Sequence, residues 1–241
     1  MNSIIAESWN LGQQHLGAGR YLSARRYLEI AERAAWEARD ARSLARLYLP
    51  LLETRRQIRY LAVEGTILIG DGDPTRERRL LAGFLRSSLG TAIFASAAAD
   101  RLAARVLDHA RVTGRPFEAL YRRGNALNAF AAPWSADAIA CRITSDPGVI
   151  VEPAAPDRLI AIFPPPGLHV AGSAAQAQAR ESLLIVWEAL GLRWQSRHHA
   201  DAGPWGELAW LRAALTVDPA SEPISMRLMA LAEGIARNAG T

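Results

Sequence analysis

Two aspartates, Asp71 and Asp73, stand two residues apart directly after a short apolar run, in the stretch Gly70-Asp71-Gly72-Asp73-Pro74. Carboxylates at that spacing can hold Mg²⁺ against a phosphate, and the carboxyl edge of an open parallel sheet is where such ligands bind. Ser96 follows a second apolar run, and Arg122 and Asn125 follow a third. The same edge would therefore bring a helix N-terminus, a guanidinium and an amide to an anion. The five residues are equally an ordinary turn with a helix cap, Asp73 at the N-cap and Pro74 in the first turn, so both readings stay open. No P-loop, G-x-G-x-x-G, G-x-S-x-G or H-E-x-x-H pattern occurs, which removes the common nucleotide-binding and hydrolase routes. His198-His199 with Asp201 has the composition of a metal cluster. Adjacent side chains point in different directions in any regular element, however, and the expectation is an exposed loop. Cys141 is expected to be a buried thiol. No catalytic residue is assigned, and no cofactor is expected.

For the acids to share an edge, the surrounding chain must form a parallel sheet. Gly65-Thr66-Ile67-Leu68-Ile69-Gly70 is an apolar run of strand length, Gly90-Thr91-Ala92-Ile93-Phe94-Ala95 repeats its type, and Phe117 to Tyr121 is a third. Helical patterns separate them, one from Asp73 to near Gly90 and one capped by Ser96 and running to about Val112. This order predicts a β-α-β-α-β unit with right-handed crossovers and strands buried on both faces. Beyond Trp134 lie segments too short for helices: Ala136 to Ile143, Val149 to Glu152, Leu159 to Phe163 and Leu168 to Ala171. Turn-forming residues divide them, and an antiparallel meander extending the same sheet is expected. Gln176 to Leu192 reads as a further helix.

Both ends of the chain have a helical rhythm instead. Apolar residues recur at three and four positions from Ser8 to Leu16 and again through Tyr21, Ala24, Leu28, Ala31 and Ala35, with Gly17-Ala18-Gly19 between. A third helix is expected from about Asp40 to Leu61, its stripe made by Leu44, Leu47, Tyr48, Leu51, Leu52, Ile58 and Leu61, with a kink near Arg46 to Pro50. Leu11-Gly12, His15, Gly19-Arg20-Tyr21, Ala24, Leu28 and Ala31 fall at the spacing of a tetratricopeptide repeat, and this segment resembles that family. Leu211, Ala214, Leu215, Asp218 and Pro219 resemble the closing half of such a unit, with Ile224 to Arg237 as the next helix. The tryptophan of the pattern is displaced by one position to Trp9, and Trp36 stands where a proline usually closes the unit. The resemblance implies antiparallel helical pairs whose first helices line a partner groove, and it maps the groove onto Trp9, Gln13 and Leu16.

The fold class expected is therefore mixed α/β: tetratricopeptide-like hairpins over 1–62 and 201–241, flanking an α/β domain over 63–200. With 241 residues, 50% hydrophobic, 22% charged and mean hydropathy near zero, the chain has the composition of a soluble globular protein. All 28 basic residues are arginine and none is lysine, alongside 46 alanines, a bias that suggests GC-rich coding and weakens any reading of the +4 charge as a nucleic-acid footprint. Arg55-Arg56-Gln57-Ile58-Arg59 and Arg76-Glu77-Arg78-Arg79 are read as solvated helix faces. No stretch reaches the roughly 18 apolar residues of a membrane span. A single cysteine fits a reducing compartment, with the cytoplasm as default. The function expected is a non-enzymatic interaction protein with a protein or peptide partner. Neither nucleic acid nor membrane is expected as a partner, and the oligomeric state is left open. The alternative is a Mg²⁺-dependent phosphate- or nucleotide-handling protein centred on Asp71 and Asp73, with Ser96, Arg122 and Asn125.

Overall fold

The computed structural model describes residues 3–123, 126–129, 149–150, 163–195 and 203–239. Over these the chain is mixed α/β: α1 (Ser3–Gly17), α2 (Tyr21–Glu37), α3 (Ala41–Glu64), β1 (Thr66–Ile69), α4 (Pro74–Phe84), β2 (Gly90–Phe94), α5 (Ala99–Thr113), β3 (Phe117–Arg123), β4 (Ala126–Ala129), β5 (Val149–Ile150), β6 (Gly167–His169), α6 (Ala174–Gln195), α7 (Gly203–Val217) and α8 (Glu222–Asn238). It divides into two compact units. One combines Met1–Ile58 with Trp194–Thr241, and the other is Arg59–Arg193, so the division falls inside α3.

In the helical unit, α1 and α2 form an antiparallel hairpin. Gly19 turns the chain with φ of 68°, a conformation that costs glycine little because it has no Cβ. The stripe expected on α2 is the one buried: Ala24, Leu28, Ala31 and Ala35, with Glu32 among them. Gly12 lets the helices approach, since a Cβ there would stand 2.7 Å from Leu28 Cδ2. Leu28 is fully buried by that approach, which is worth about 1.5–3 kcal/mol relative to exposure. α1 begins at Ser3, earlier than the Ser8 at which the apolar rhythm becomes clear.

Asp40 starts α3 by accepting hydrogen bonds from the Ser43 backbone N–H at 3.0 Å and from its hydroxyl at 2.6 Å. α3 continues through Pro50, whose carbonyl accepts the Thr54 hydroxyl at 2.7 Å. Leu44, Leu47, Tyr48, Leu51, Leu52 and Ile58 are buried as the stripe predicts. Leu61, assigned to the same stripe, is 38% exposed, because a seven-turn helix drifts away from a straight contact line. α7 and α8 form a second hairpin, buried through Leu208, Leu211, Ala214, Ile224, Leu228 and Ala232. The two ends of the chain meet within this unit: Arg212 of α7 donates to Glu32 of α2 at 2.6 Å, and Arg56 of α3 donates to Glu222 of α8 at 2.8 Å.

In the α/β unit the sheet runs β5-β4-β3-β2-β1-β6. The three apolar runs supply its parallel centre, with Thr66 opposite Gly90 and Gly90 opposite Phe117. Alternation along the strands feeds two layers. Leu68, Ala92, Phe94 and Phe117 pack with α4 and α5 on one face. Ile67, Ile69, Ile93 and Leu120 pack with Val63, Leu183 and Trp187 on the other.

Three expectations about this unit need correction. The late strands do not all extend one edge. β4 and β5 continue antiparallel from β3, whereas β6 pairs antiparallel with β1 at the opposite edge, Leu68 opposite Leu168. β4 lies in a stretch where no strand was expected, and the segments Ala136 to Ile143 and 159–162 lie outside the described residues. Ser96 does not cap α5. The helix begins three residues later with Ala98 at its N-cap, and the Ser96 hydroxyl is only a 3.4 Å acceptor for the Ala98 N–H.

Candidate functional site

On α1 the buried stripe is Ile5, Ser8 and Gly12. Trp9, Gln13 and Leu16 lie at i, i+4 and i+7 and so form a row along one side of that stripe. All three are half-buried. On the other side Ile4 and Leu11 are 52% and 40% exposed. His15 stacks on Tyr27 of α2 with ring centres 5.3 Å apart and planes within 4°.

The seam where α2, α3 and α7 meet carries charge. Arg212 lies 4.7 Å above the Trp36 ring while bonding Glu32 through two of its nitrogens, at 2.6 and 3.2 Å. Trp205 meets Trp36 edge-on at 5.8 Å, and Arg39 lies over Trp205. Arg55 pairs with Glu29 at 3.2 Å. The Tyr48 hydroxyl is buried near these groups. Desolvation, reinforced by the negative charge of Glu32, pushes its pKa far above the ordinary phenol value, so it stays neutral.

The acids of the α/β unit are placed as the strand order requires, on the loop leaving β1. Asp71 Oδ1 accepts the Asp73 N–H at 3.0 Å, and its other oxygen pairs with Arg76 at 2.8 Å. Asp73 is the N-cap of α4, accepting the N–H groups of Thr75 at 2.7 Å and Arg76 at 3.0 Å. Those bonds, from Arg76 first and then Thr75, hold its carboxyl below the usual aspartate range. The turn-and-cap geometry is thus present in full. Arg122 lies in β3 opposite Leu127. Asn125 is outside the described residues, as are Cys141, His198, His199 and Asp201. Among the described residues no group of three or more His, Cys, Asp or Glu is arranged to hold a metal ion.

The residue at this edge that sequence reasoning missed is Glu77. It is completely buried, yet it carries a carboxylate. The oxygens accept the backbone N–H of Gly72 at 3.2 Å, of Ala95 at 2.8 Å and of Ser96 at 3.2 Å. Gly70 leaves space for it, since a Cβ there would lie 2.1 Å from Glu77 Oε1. The signal was available: Glu77, Leu81 and Phe84 share one buried stripe of α4, and an acid on such a stripe needs dedicated donors. Reading Arg76-Glu77-Arg78-Arg79 as a basic stretch concealed it.

The other arginine stretch is not a free solvated face. Arg55 and Arg56 are paired as described above, and Arg59 is buried, bonding Glu118 at 3.2 Å with its guanidinium 3.7 Å from the Trp187 ring centre. Among the described residues no helix is long and apolar enough to cross a membrane. Compared with models of known protein families, with curated proteins and with solved structures, the chain matches none.

Proposed function

We propose that this chain is a non-enzymatic interaction protein whose tetratricopeptide-like helical pairs hold a protein or peptide partner along α1. The observation that carries the reading is the α1–α2 seam. Gly12 packed on Leu28 brings the helices together, and Trp9, Gln13 and Leu16 remain as a half-buried row beside the contact. A tryptophan flanked by a polar and an aliphatic side chain suits a binding anchor, because aromatic residues supply much area at little entropic cost. The groups that an enzymatic reading would use are engaged internally: Asp71 with Arg76, Asp73 with the first turn of α4. That leaves the Mg²⁺-phosphate alternative with less support than the helical row.

The test compares partners captured by the parent with those captured by Trp9→Ala and Gln13→Ala variants of matched helicity. The reading expects at least one partner to bind on the order of tenfold more weakly to a variant in a purified titration. A set of partners captured and bound equally by parent and variants would overturn it.

A further inference from the structure

We propose that the carboxyl edge of β1 and β2 is an oxyanion cradle whose resident anion is the protein's own Glu77, and that the cradle takes a small free oxyanion when that side chain is removed. The donors come from two separate loops: Gly72 from the β1–α4 loop, Ala95 and Ser96 from the β2–α5 loop. Loops that follow neighbouring parallel strands point their N–H groups at one place, which is why ligand anions bind at such edges. Here that place holds a carboxylate. Its hydrogen-bond partners among the described residues are all backbone N–H groups, so amide dipoles rather than an arginine balance its charge.

Two further observations show a built arrangement. Glu77 is 0% exposed, so its charge is held where an unmatched carboxylate would be very costly. Gly70 has no room for a side chain because Glu77 Oε1 occupies the position. The oxygen thus packs directly on the backbone of the residue that follows β1. With Glu77 in place the N–H groups of Gly72, Ala95 and Ser96 are all engaged, so inorganic phosphate finds none of these donors free in the parent protein.

Glu77→Ala removes the carboxylate and leaves three backbone donors, that of Ser96 buried and those of Gly72 and Ala95 half-buried, facing the space it filled. Thermal unfolding of parent and variant is followed in formate, acetate and inorganic phosphate against chloride at matched ionic strength. The variant is expected to gain on the order of 3 °C from at least one oxyanion, saturably, while the parent gains nothing beyond chloride. Equal responses of parent and variant, or a variant response no greater than in chloride, would overturn the proposal. Glu77→Gln covers the case in which Glu77→Ala does not fold. It preserves shape and one acceptor oxygen, and amide exchange is expected to accelerate at Gly72, Ala95 and Ser96 while the β1–β2 ladder stays protected. Unchanged exchange at all three would equally refute the cradle.

Discussion

Arg212 carries two contacts on one side chain, a forked bond to Glu32 and a cation–π contact with Trp36. With side-chain exposures of 24% and 11%, this pair is screened much less than a surface ion pair. Arg212→Ala is expected to destabilise the helical unit by about 2 kcal/mol, since it strands a mostly buried carboxylate and uncovers an indole face. Arg212→Lys should recover part of that loss but not all, because an ammonium can neither fork to both oxygens nor stack as a plane. Denaturant titration of both variants checks the order, and a lysine variant as stable as the parent would contradict it. Glu32 and Glu77 teach the same lesson about legibility. Each interrupts an apolar stripe, so its burial was readable from spacing, whereas its partner was not. Arg212 is remote in sequence from Glu32, and the donors to Glu77 are main-chain groups that have no residue type.

Elements were legible in proportion to how local their causes are. The central strands β1 and β2 fall within the apolar runs, β3 begins with its run but continues two residues past Tyr121 to include Arg122 and Arg123, and Asp73-Pro74 starts α4, because cap, proline and strand composition all act within a few residues. β4 was missed although Gly124-Asn125, a pair typical of short hairpin turns, stands between it and β3. The place of β6 beside β1 depends on pairing across most of the unit, which no local pattern encodes. Capping also gives these elements a pH response. For Asp40, burial alone would raise the carboxyl pKa, but the bonds from the Ser43 hydroxyl and N–H outweigh it and the net shift is downward. Asp73 is lowered by its own N–H donors. A lowered folded-state pKa means a contribution that is complete above the ordinary aspartate value of 3.8 and is lost as pH falls through the folded value. Protection factors at Ser43, Thr75 and Arg76, in which the intrinsic pH dependence of exchange is divided out, are therefore expected to fall on acidification below that value. In Asp40→Asn the pH dependence at Ser43 should disappear while that at Thr75 persists.

At the scale of the whole molecule, the helical unit is assembled from two stretches far apart in the sequence, Met1–Ile58 and Trp194–Thr241. Glu32 and Glu222 each lie on one stretch and bond an arginine of the other. A chain ending at Arg193 is thus expected to keep the strands of the α/β unit but to lose cooperative unfolding of α1, α2 and the first part of α3. Calorimetry of the shortened chain tests this, and an unchanged helical transition would show that the first three helices stand alone. The discontinuous unit also imposes a timetable on biosynthesis. When α2 and α3 leave the ribosome, the helices that bear their ion-pair partners are not yet translated, and all of Arg59–Arg193 must be made before α7 can arrive. At about 5–20 residues per second that interval is on the order of ten seconds. During it Glu32 of α2 has no Arg212 and Arg56 of α3 has no Glu222, so the ion pairs that join the two stretches can form only after the whole α/β unit has been synthesised.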